Sequence, residues 1–307
     1  MWVPNTLFRE GKTVERAKAK AAALIEALPY LQQFRGRTMV VKFGGAAMNP
    51  QGDLADILFS LVFLSHVGVR PVLVHGGGHF ISQAMKERGL QPTFVRGRRV
   101  TDQAALAIVE DVLINKVNAQ LVAKIEELGG SAVGLHSRHG RPLLGEKLLE
   151  TAEDGTPVDL GLVGRVFSVR TALINDVLDA GCIPVIAPLA VSLDGQVLNC
   201  NADTASWKVA ADLKAEKLVL LSDVAGILRD RKDDSTLIST LTKDEAARLE
   251  SEGVIEGGML PKVDACIRAV EAGVRKAHMI DGRIPHALLL EIFTDKGVGT
   301  EIIRSRG

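Results

Sequence analysis

Aromatic side chains make up only 4% of the 307 residues, with one Tyr and two Trp. That is too few for the stacking platforms that hold single-stranded nucleic acid. Neither sign of charge is in excess, 37 Lys and Arg facing 37 Asp and Glu. The basic surplus that a nucleic acid or an anionic membrane asks of its partner is therefore missing. Small or acidic metabolites, which need only a local cluster of positive charge, stay open. The three cysteines, Cys182, Cys200 and Cys266, stand far apart with no C-x-x-C spacing, which supports neither a disulfide framework nor a structural zinc site and fits a reducing compartment. No apolar run approaches the roughly 20 residues of a membrane span; Ile57–Val67 is interrupted by Ser60, Ser65 and His66. The first residues carry Glu10 and Glu15 in place of an apolar leader, so no secretory signal is read there. With 47% hydrophobic and 24% charged residues, wholesale disorder is excluded. The expectation is a cytoplasmic globular protein of one large or two ordinary domains.

What is present is an alternation of strand and helix signals. Val14, Ala17, Ala21, Leu24 and Leu28 recur at spacings of three and four, which predicts a helix ending at Pro29, either packed on its own domain or docked on another subunit. Strands are predicted over 38–43, 71–74, 131–135, 163–169, 183–187 and 217–222. Helices are predicted over 54–66, 80–88, 103–128, 171–180, 202–213 and 262–272. Asp194-Gly195 between two short apolar runs marks a hairpin. Strands alternating with helices mean an α/β fold with a largely parallel central sheet, in two lobes of one unit, since no repeat, low-complexity segment or Pro/Ser-rich linker divides the chain.

Ligands of such sheets bind beyond the carboxyl ends of the strands. Two consecutive strands here end in glycines that run toward helices: Lys42-Phe43-Gly44-Gly45 and His75-Gly76-Gly77-Gly78. Glycine lets backbone approach an anion, and a helix N-terminus offers free N–H groups. Either cluster alone is equally a tight turn; two of them, one led by a lysine, favour an anion or phosphate site. G-x-G-x-x-G and G-x-x-x-x-G-K-[ST] are both missing, so Rossmann and P-loop readings lack support. Arg96-Gly97-Arg98-Arg99 is a solvated basic turn or a carboxylate clamp, of which one arginine need be functional. Asn199-Cys200-Asn201-Ala202-Asp203 combines helix-capping residues with a dense polar group, within which Asp203 stands out. Asp223–Leu228 follows an apolar strand and could line a nucleotide pocket. Lys262, behind Gly257-Gly258, opens a helix whose dipole it opposes. Together these pieces suggest phosphoryl transfer, which needs positive charge, backbone donors and a carboxylate ordering the cations. No convincing general base is found, and an ionised carboxylate acceptor needs none.

The order VVKFGG (40–45), VHGGG (74–78), GRRVTD (97–102), LNCNAD (198–203), LLSDVAGIL (220–228) and GGMLPKV (257–263) resembles the amino-acid kinase superfamily over roughly residues 38 to 303. Within it, RVTD and N-x-N-A-D favour the N-acetyl-L-glutamate kinase branch of arginine biosynthesis. The resemblance implies a three-layer αβα sandwich with a mainly parallel sheet, divided into an N-terminal helical extension (1–35), a substrate and dimerisation lobe (36–190) and a C-terminal lobe (191–307) that binds the nucleotide and carries an arginine site near the N-terminal helix. It implies transfer of the ATP γ-phosphoryl group to the side-chain carboxylate of N-acetyl-L-glutamate, with Mg²⁺ carried by the nucleotide. Lys42 and Lys262 match the lysines on the transferring phosphoryl group and Asp203 the carboxylate that orders both. Gly45, Gly77 and Gly78 match backbone donors, Arg99 the clamp on the substrate α-carboxylate, and Asn199 a second substrate contact. Asp223, Val224, Ala225, Gly226, Ile227 and Leu228, with the stretch before Gly257, match the nucleotide-binding segments. The extension and the stretch from His286 to Glu301 resemble arginine-inhibited members, in which N-terminal helices join dimers into a hexamer, a trimer of dimers. The loop Ser137–Gly140 departs from the family pattern. Competing readings are a kinase for a related carboxylate, such as an aminoadipate derivative or a carrier-linked amino acid, and a non-catalytic nucleotide or arginine sensor.

Overall fold

The computed structural model describes residues 11–44, 53–95, 97–151, 156–294 and 297–304. Helix α1 (Gly11–Phe34) leads into strand β1 (Thr38–Phe43), helix α2 (Asp53–His66) and strand β2 (Arg70–His75). Helix α3 (Gly78–Glu87) is followed by a hairpin of β3 (Phe94–Val95) and β4 (Arg98–Arg99). A continuous helical rod comes next, made of α4 (Gln103–Glu110), a π-helical segment (Asp111–Asn118) and α5 (Ala119–Glu127). The middle of the chain holds β5 (Ala132–Leu135), β6 (Leu143–Lys147), the pair β7 (Glu150–Thr151) and β8 (Pro157–Val158), β9 (Val163–Val169), α6 (Thr171–Asp179), β10 (Ile183–Ile186), β11 (Leu189–Val191) and β12 (Val197–Cys200). The last part holds α7 (Ala202–Asp212), β13 (Lys217–Ser222), β14 (Thr240–Leu241), α8 (Lys243–Ser251), α9 (Leu260–Glu271), β15 (Lys276–Asp281), α10 (Ala287–Phe293) and β16 (Gly299–Ile302).

Eight strands form the central sheet in the order β14-β16-β15-β13-β1-β2-β10-β5, every pair parallel except β15 with β16. Side chains alternate across a strand, and β1 divides its residues accordingly. Met39, Val41 and Phe43 enter the core shared with α2, α10 and the helical rod. Val40 enters the opposite core, shared with α6, α7 and α9. Helices on both faces make the expected three-layer αβα sandwich. Lys42 has the parity of Val40, so β1 delivers its ammonium to the α7 side. Beside the sheet, β11, β12, β9 and β6 close a small barrel, whose β11–β12 hairpin is the one signalled by Asp194-Gly195.

Two elements differ from expectation. The first helix does not stop at Pro29 but continues to Phe34. Proline removes one helical hydrogen bond, yet the turn beyond it is anchored: Phe34 is buried and Tyr30 packs edge-on against Phe293 at 6.4 Å. The alternation also runs past the helix ending near 272, adding β15, α10 and β16. Lys-Ala-His-Met-Ile-Asp has one β-branched residue and weak strand propensity; pairing on both edges, with β13 and β16, fixes it as a strand. Among the described residues no helix is long and apolar enough to cross a membrane.

Candidate active site

Lys42, 6% exposed, and Asp203, 6% exposed, meet where the C-terminal end of β1 faces the first turn of α7. Their charges are 2.8 Å apart, Lys42 Nζ to Asp203 Oδ1, an ion pair that leaves Oδ1 without an aligned donor. The Asn201 side chain caps α7 by accepting from the Thr204 N–H at 2.9 Å, so Asn201 does the capping and Asp203 is free to hold a cation. Burial pushes the Asp203 carboxyl up, but Lys42 and Lys262 outweigh burial and hold it below the ordinary carboxylate range. Lys262 stands in the first turn of α9, its Nζ donating to the Gly258 carbonyl at 3.2 Å. A lysine from the start of the fold and one from its end thus act on one carboxylate.

These residues border a cavity of about 390 Å³, which the triple-glycine loop closes from another side with Gly76, Gly77 and Gly78. Gly77 allows close approach, since a Cβ there would lie 2.5 Å from Leu113 Cδ2. Gly45 lies outside the described residues; its neighbour Gly44 comes within about van der Waals reach of Gly76. Arg99 reaches the same cavity from β4. Its guanidinium donates to the Gly78 carbonyl at 2.9 Å and to Ser82 Oγ at 2.8 Å, and lies 4.7 Å from the Phe94 ring centroid. Burial pulls its pKa down, and among the described residues no carboxylate pairs with it. A nearly buried guanidinium facing a cavity without a counter-charge is a receptor for an anion. Arg98 instead pairs with Glu150 at 2.7 Å, and Arg96 lies outside the described residues. Asn199 lines the cavity while donating to Thr101 Oγ1 at 3.1 Å; Thr101 in turn donates to the Arg99 carbonyl. Cys200 also borders it, but burial pushes its thiol up to about 12, so it is no nucleophile.

A second cavity of about 340 Å³ adjoins the first across Lys262, which borders both. Asp223, Val224, Gly226 and Leu228 line it together with Glu256 and Gly258. Of the other residues expected here, Ile227 turns into the core and Ala225 is not among the lining residues. Gly226, at φ +140°, cannot carry a side chain, because a Cβ would sit 2.7 Å from Thr300 Oγ1. That hydroxyl accepts from the Ile227 N–H at 2.8 Å and so pins the loop. Among the described residues no group of three or more His, Cys, Asp or Glu is placed to enclose a cation. On the far turn of α7, one turn from Asp203, Trp207 packs against the core with its indole Nε1 buried and unpartnered.

A cavity of about 630 Å³ opens at the opposite edge of the sheet, where Lys217 and Lys276 begin β13 and β15, the end of α1 supplies Tyr30, Gln33 and Phe34, and the 286–301 stretch supplies Glu291 and Glu301; sequence reasoning pointed to the helix and the C-terminal stretch but missed Lys217, Lys276 and His278. His278, 3% exposed, lies with Nδ1 2.6 Å from Glu291 Oε1, while its Nε2 has no hydrogen-bond partner. Burial pushes Glu291 up, but the bond and charge of His278, with the Val298 N–H, hold it below the usual range. Burial lowers the Lys217 pKa against the pull of Glu291. The signals available were a lysine opening an otherwise apolar strand and a histidine within another.

A model of the amino acid kinase family matches residues 37–281. The chain is 47% identical to the acetylglutamate kinase of Heliobacterium modesticaldum over 293 residues, 94% of this chain and 99% of that protein. Among solved structures it is similar to N-acetylglutamate synthase from Neisseria gonorrhoeae complexed with coenzyme A and N-acetyl-glutamate, with TM-score 0.81 and 31% identity over 94% of this chain. It covers 64% of that synthase chain, just under two thirds of its length. The same synthase complexed with coenzyme A and L-arginine gives TM-score 0.77 and 30% identity over 92% of this chain and 65% of that one.

Proposed function

The chain belongs to the amino acid kinase family, and from that membership we propose that it transfers the γ-phosphoryl group of ATP to the side-chain carboxylate of N-acetyl-L-glutamate, in the cytoplasm, as a step of arginine biosynthesis. The observation that carries this reading is the pair of lysines on one buried aspartate, at the join of two cavities, facing an arginine that lacks a counter-charge. The acceptor would occupy the cavity of about 390 Å³, its α-carboxylate on Arg99 and Asn199 at its flank. Adenosine would occupy the adjoining cavity at Asp223–Leu228, with the triphosphate directed past Lys262 toward Lys42. One oxygen of the acceptor carboxylate forms the new P–O bond while the bond from the γ-phosphorus to the β,γ-bridging oxygen breaks, giving an acyl phosphate and ADP. No proton moves, so no base is needed. Lys42, Lys262 and the N–H groups of Gly45, Gly77 and Gly78 neutralise charge on the phosphoryl oxygens as it shifts. Asp203 keeps the Lys42 ammonium aimed.

The same reading divides the chain into an oligomerising arm (1–35), an acceptor lobe (36–190) and a nucleotide lobe (191–307). It also assigns the cavity of about 630 Å³ to L-arginine as a feedback inhibitor. Supporting this are acidic and basic side chains in one pocket, as an amino acid with a cationic side chain requires, and the His278 Nε2, which makes no hydrogen bond and lies 3.9 Å from Glu301 Oε1. Exposed Leu24 (68%) and Ile25 (71%) on α1 support the arm as a contact with another copy, giving a hexamer of three dimers.

Hydroxylamine trapping of acyl phosphate formed from ATP, Mg²⁺ and N-acetyl-L-glutamate, with and without L-arginine, tests both parts. Turnover suppressed by arginine is expected. Turnover indifferent to arginine removes the regulatory part. No turnover despite ATP binding turns attention to a related carboxylate acceptor and then to a sensor. Deleting residues 1–30 is expected to leave an active dimer with weakened inhibition; an undiminished hexamer sinks the arm's role.

A further inference from the structure

Strand β2 ends in a histidine buried from all sides. Burial pulls the His75 pKa down to about 4, so the ring is neutral and has one N–H. Its two neighbours assign that proton. Nδ1 lies 2.8 Å from the Gly76 carbonyl, which can only accept, so Nδ1 donates. Nε2 lies 3.0 Å from Asn118 Nδ2, so Nε2 accepts. The Asn118 amide spends its other N–H on the Val185 carbonyl at 2.9 Å, which exhausts its donors. Asn118 is the last residue of the π-helical segment in the long rod. Such segments interrupt the 3.6-residue phase and re-aim side chains, and this one aims two at the glycine loop. Leu113 packs where a Cβ on Gly77 would be, and Asn118 grips His75, with Gly134 leaving the space that its amide fills.

A trans peptide points its C=O and N–H in opposite directions. Holding the Gly76 carbonyl therefore fixes the Gly77 N–H on the far side of the same plane. Neither the Gly77 nor the Gly78 N–H is donated to a backbone carbonyl in the described turns and loops, and both residues line the acceptor cavity. We propose that His75 and Asn118 are positioning residues for phosphoryl transfer: through the neutral Nδ1–H tautomer they orient the Gly76–Gly77 peptide, and with it the glycine N–H groups that receive the charge of the reacting oxygens. The inference rests on the kinase reading above, so each readout is a ratio to the turnover of the unmodified chain.

Steady-state kinetics on the full chain with ATP and N-acetyl-L-glutamate test it. His75→Leu removes the grip and is expected to lower kcat about 10²-fold, the effect of a misplaced reacting group, with KM for ATP within about twofold. His75→Asn keeps an N–H where Nδ1 was and is expected to recover most of the loss. Asn118→Asp does not depend on the leucine variant folding. Its carboxylate demands a proton on Nε2, so at high pH the Nδ1–H is lost and only the imidazolium serves both neighbours. Its kcat is expected to rise about tenfold on acidification from pH 9 to 6.5, scaled to the loss of one neutral hydrogen bond, an increase not seen in the unmodified chain. An asparagine variant no better than leucine, or an Asn118→Asp pH profile parallel to that of the unmodified chain, overturns the proposal.

Discussion

The two edges of the central sheet hold polar cavities built on opposite plans. At the C-terminal edge, backbone does much of the work: the triple-glycine loop leaves the Gly77 and Gly78 N–H groups without a backbone acceptor, and Lys42, Asp203 and Arg99 are deeply buried. Lys42 is neutralised by Asp203, while Arg99 has no carboxylate partner among the described residues. At the N-terminal edge, side chains supply the polarity, and they largely satisfy one another. Lys276 pairs with Glu301, Arg275 with Glu216, and His278 with Glu291. Each edge buries a histidine, but one ring is held by neutral partners and the other by a carboxylate. The difference suits the proposed division of labour. A reacting site needs donors with unspent capacity, whereas a regulatory site must hold together whether or not its ligand is bound.

The sharpest way to break this comparison is at Lys42. Its replacement by Met is expected to cost about 10³-fold in kcat with little change in KM for ATP, the pattern of a group acting mainly in the transition state. Single-turnover rates would check it, and an unchanged rate would remove the C-terminal edge from the chemistry. Next in size is the acid response of the buried histidine. His75 is shifted from 6.5 in the unfolded chain to about 4 in the fold, so the unfolded state takes up its proton first. Stability from this group is complete above pH 6.5 and lost as pH falls toward 4, by roughly 3 kcal/mol. Denaturant midpoints of the unmodified chain and His75→Asn, compared between pH 7 and 4, isolate that slope; parallel curves would contradict it. Replacing Arg99 with Lys keeps the charge but loses the planar fork, and is expected to raise KM for the acceptor on the order of 10-fold or more with KM for ATP unchanged. The smallest effect is at Thr300, where the two edges meet. Its neighbours Gly299 and Glu301 line the N-terminal cavity while its own hydroxyl holds the Asp223–Leu228 loop, the proposed nucleotide segment, through Ile227. Thr300→Val is expected to raise KM for ATP about fivefold, the worth of one hydrogen bond, leaving KM for the acceptor alone.

The C-terminal edge was the more legible in the sequence. Glycines after a strand, a lysine two residues before them and a polar cluster opening a helix are local signals, and Lys42, Asp203, Lys262, Arg99 and the triple glycine all border one cavity. The hairpin at Asp194-Gly195 was legible for the same reason. The N-terminal edge draws on residues from 30 to 301 with no shared spacing, and three of its elements have weak local signals, so only folding brings it together. His75 and Asn118 fall between these cases. The histidine stood in a recognised motif, but its partner lies in a helix of ordinary apolar periodicity, where a π-helical segment leaves no compositional mark. Pro29 shows the converse, a strong local stop signal overridden by Tyr30 and Phe34 packing beyond it.

Helix α7 also gives the molecule a built-in optical probe. The chain has two tryptophans, Trp2 near its start and Trp207 one helical turn beyond the aspartate that holds Lys42. Exchanging Trp2 for Phe leaves a single indole, packed against the core beneath that turn. Its emission is expected to shift if ligand entry moves the first turn of α7, and stopped-flow fluorescence without a label checks this before any bond has changed.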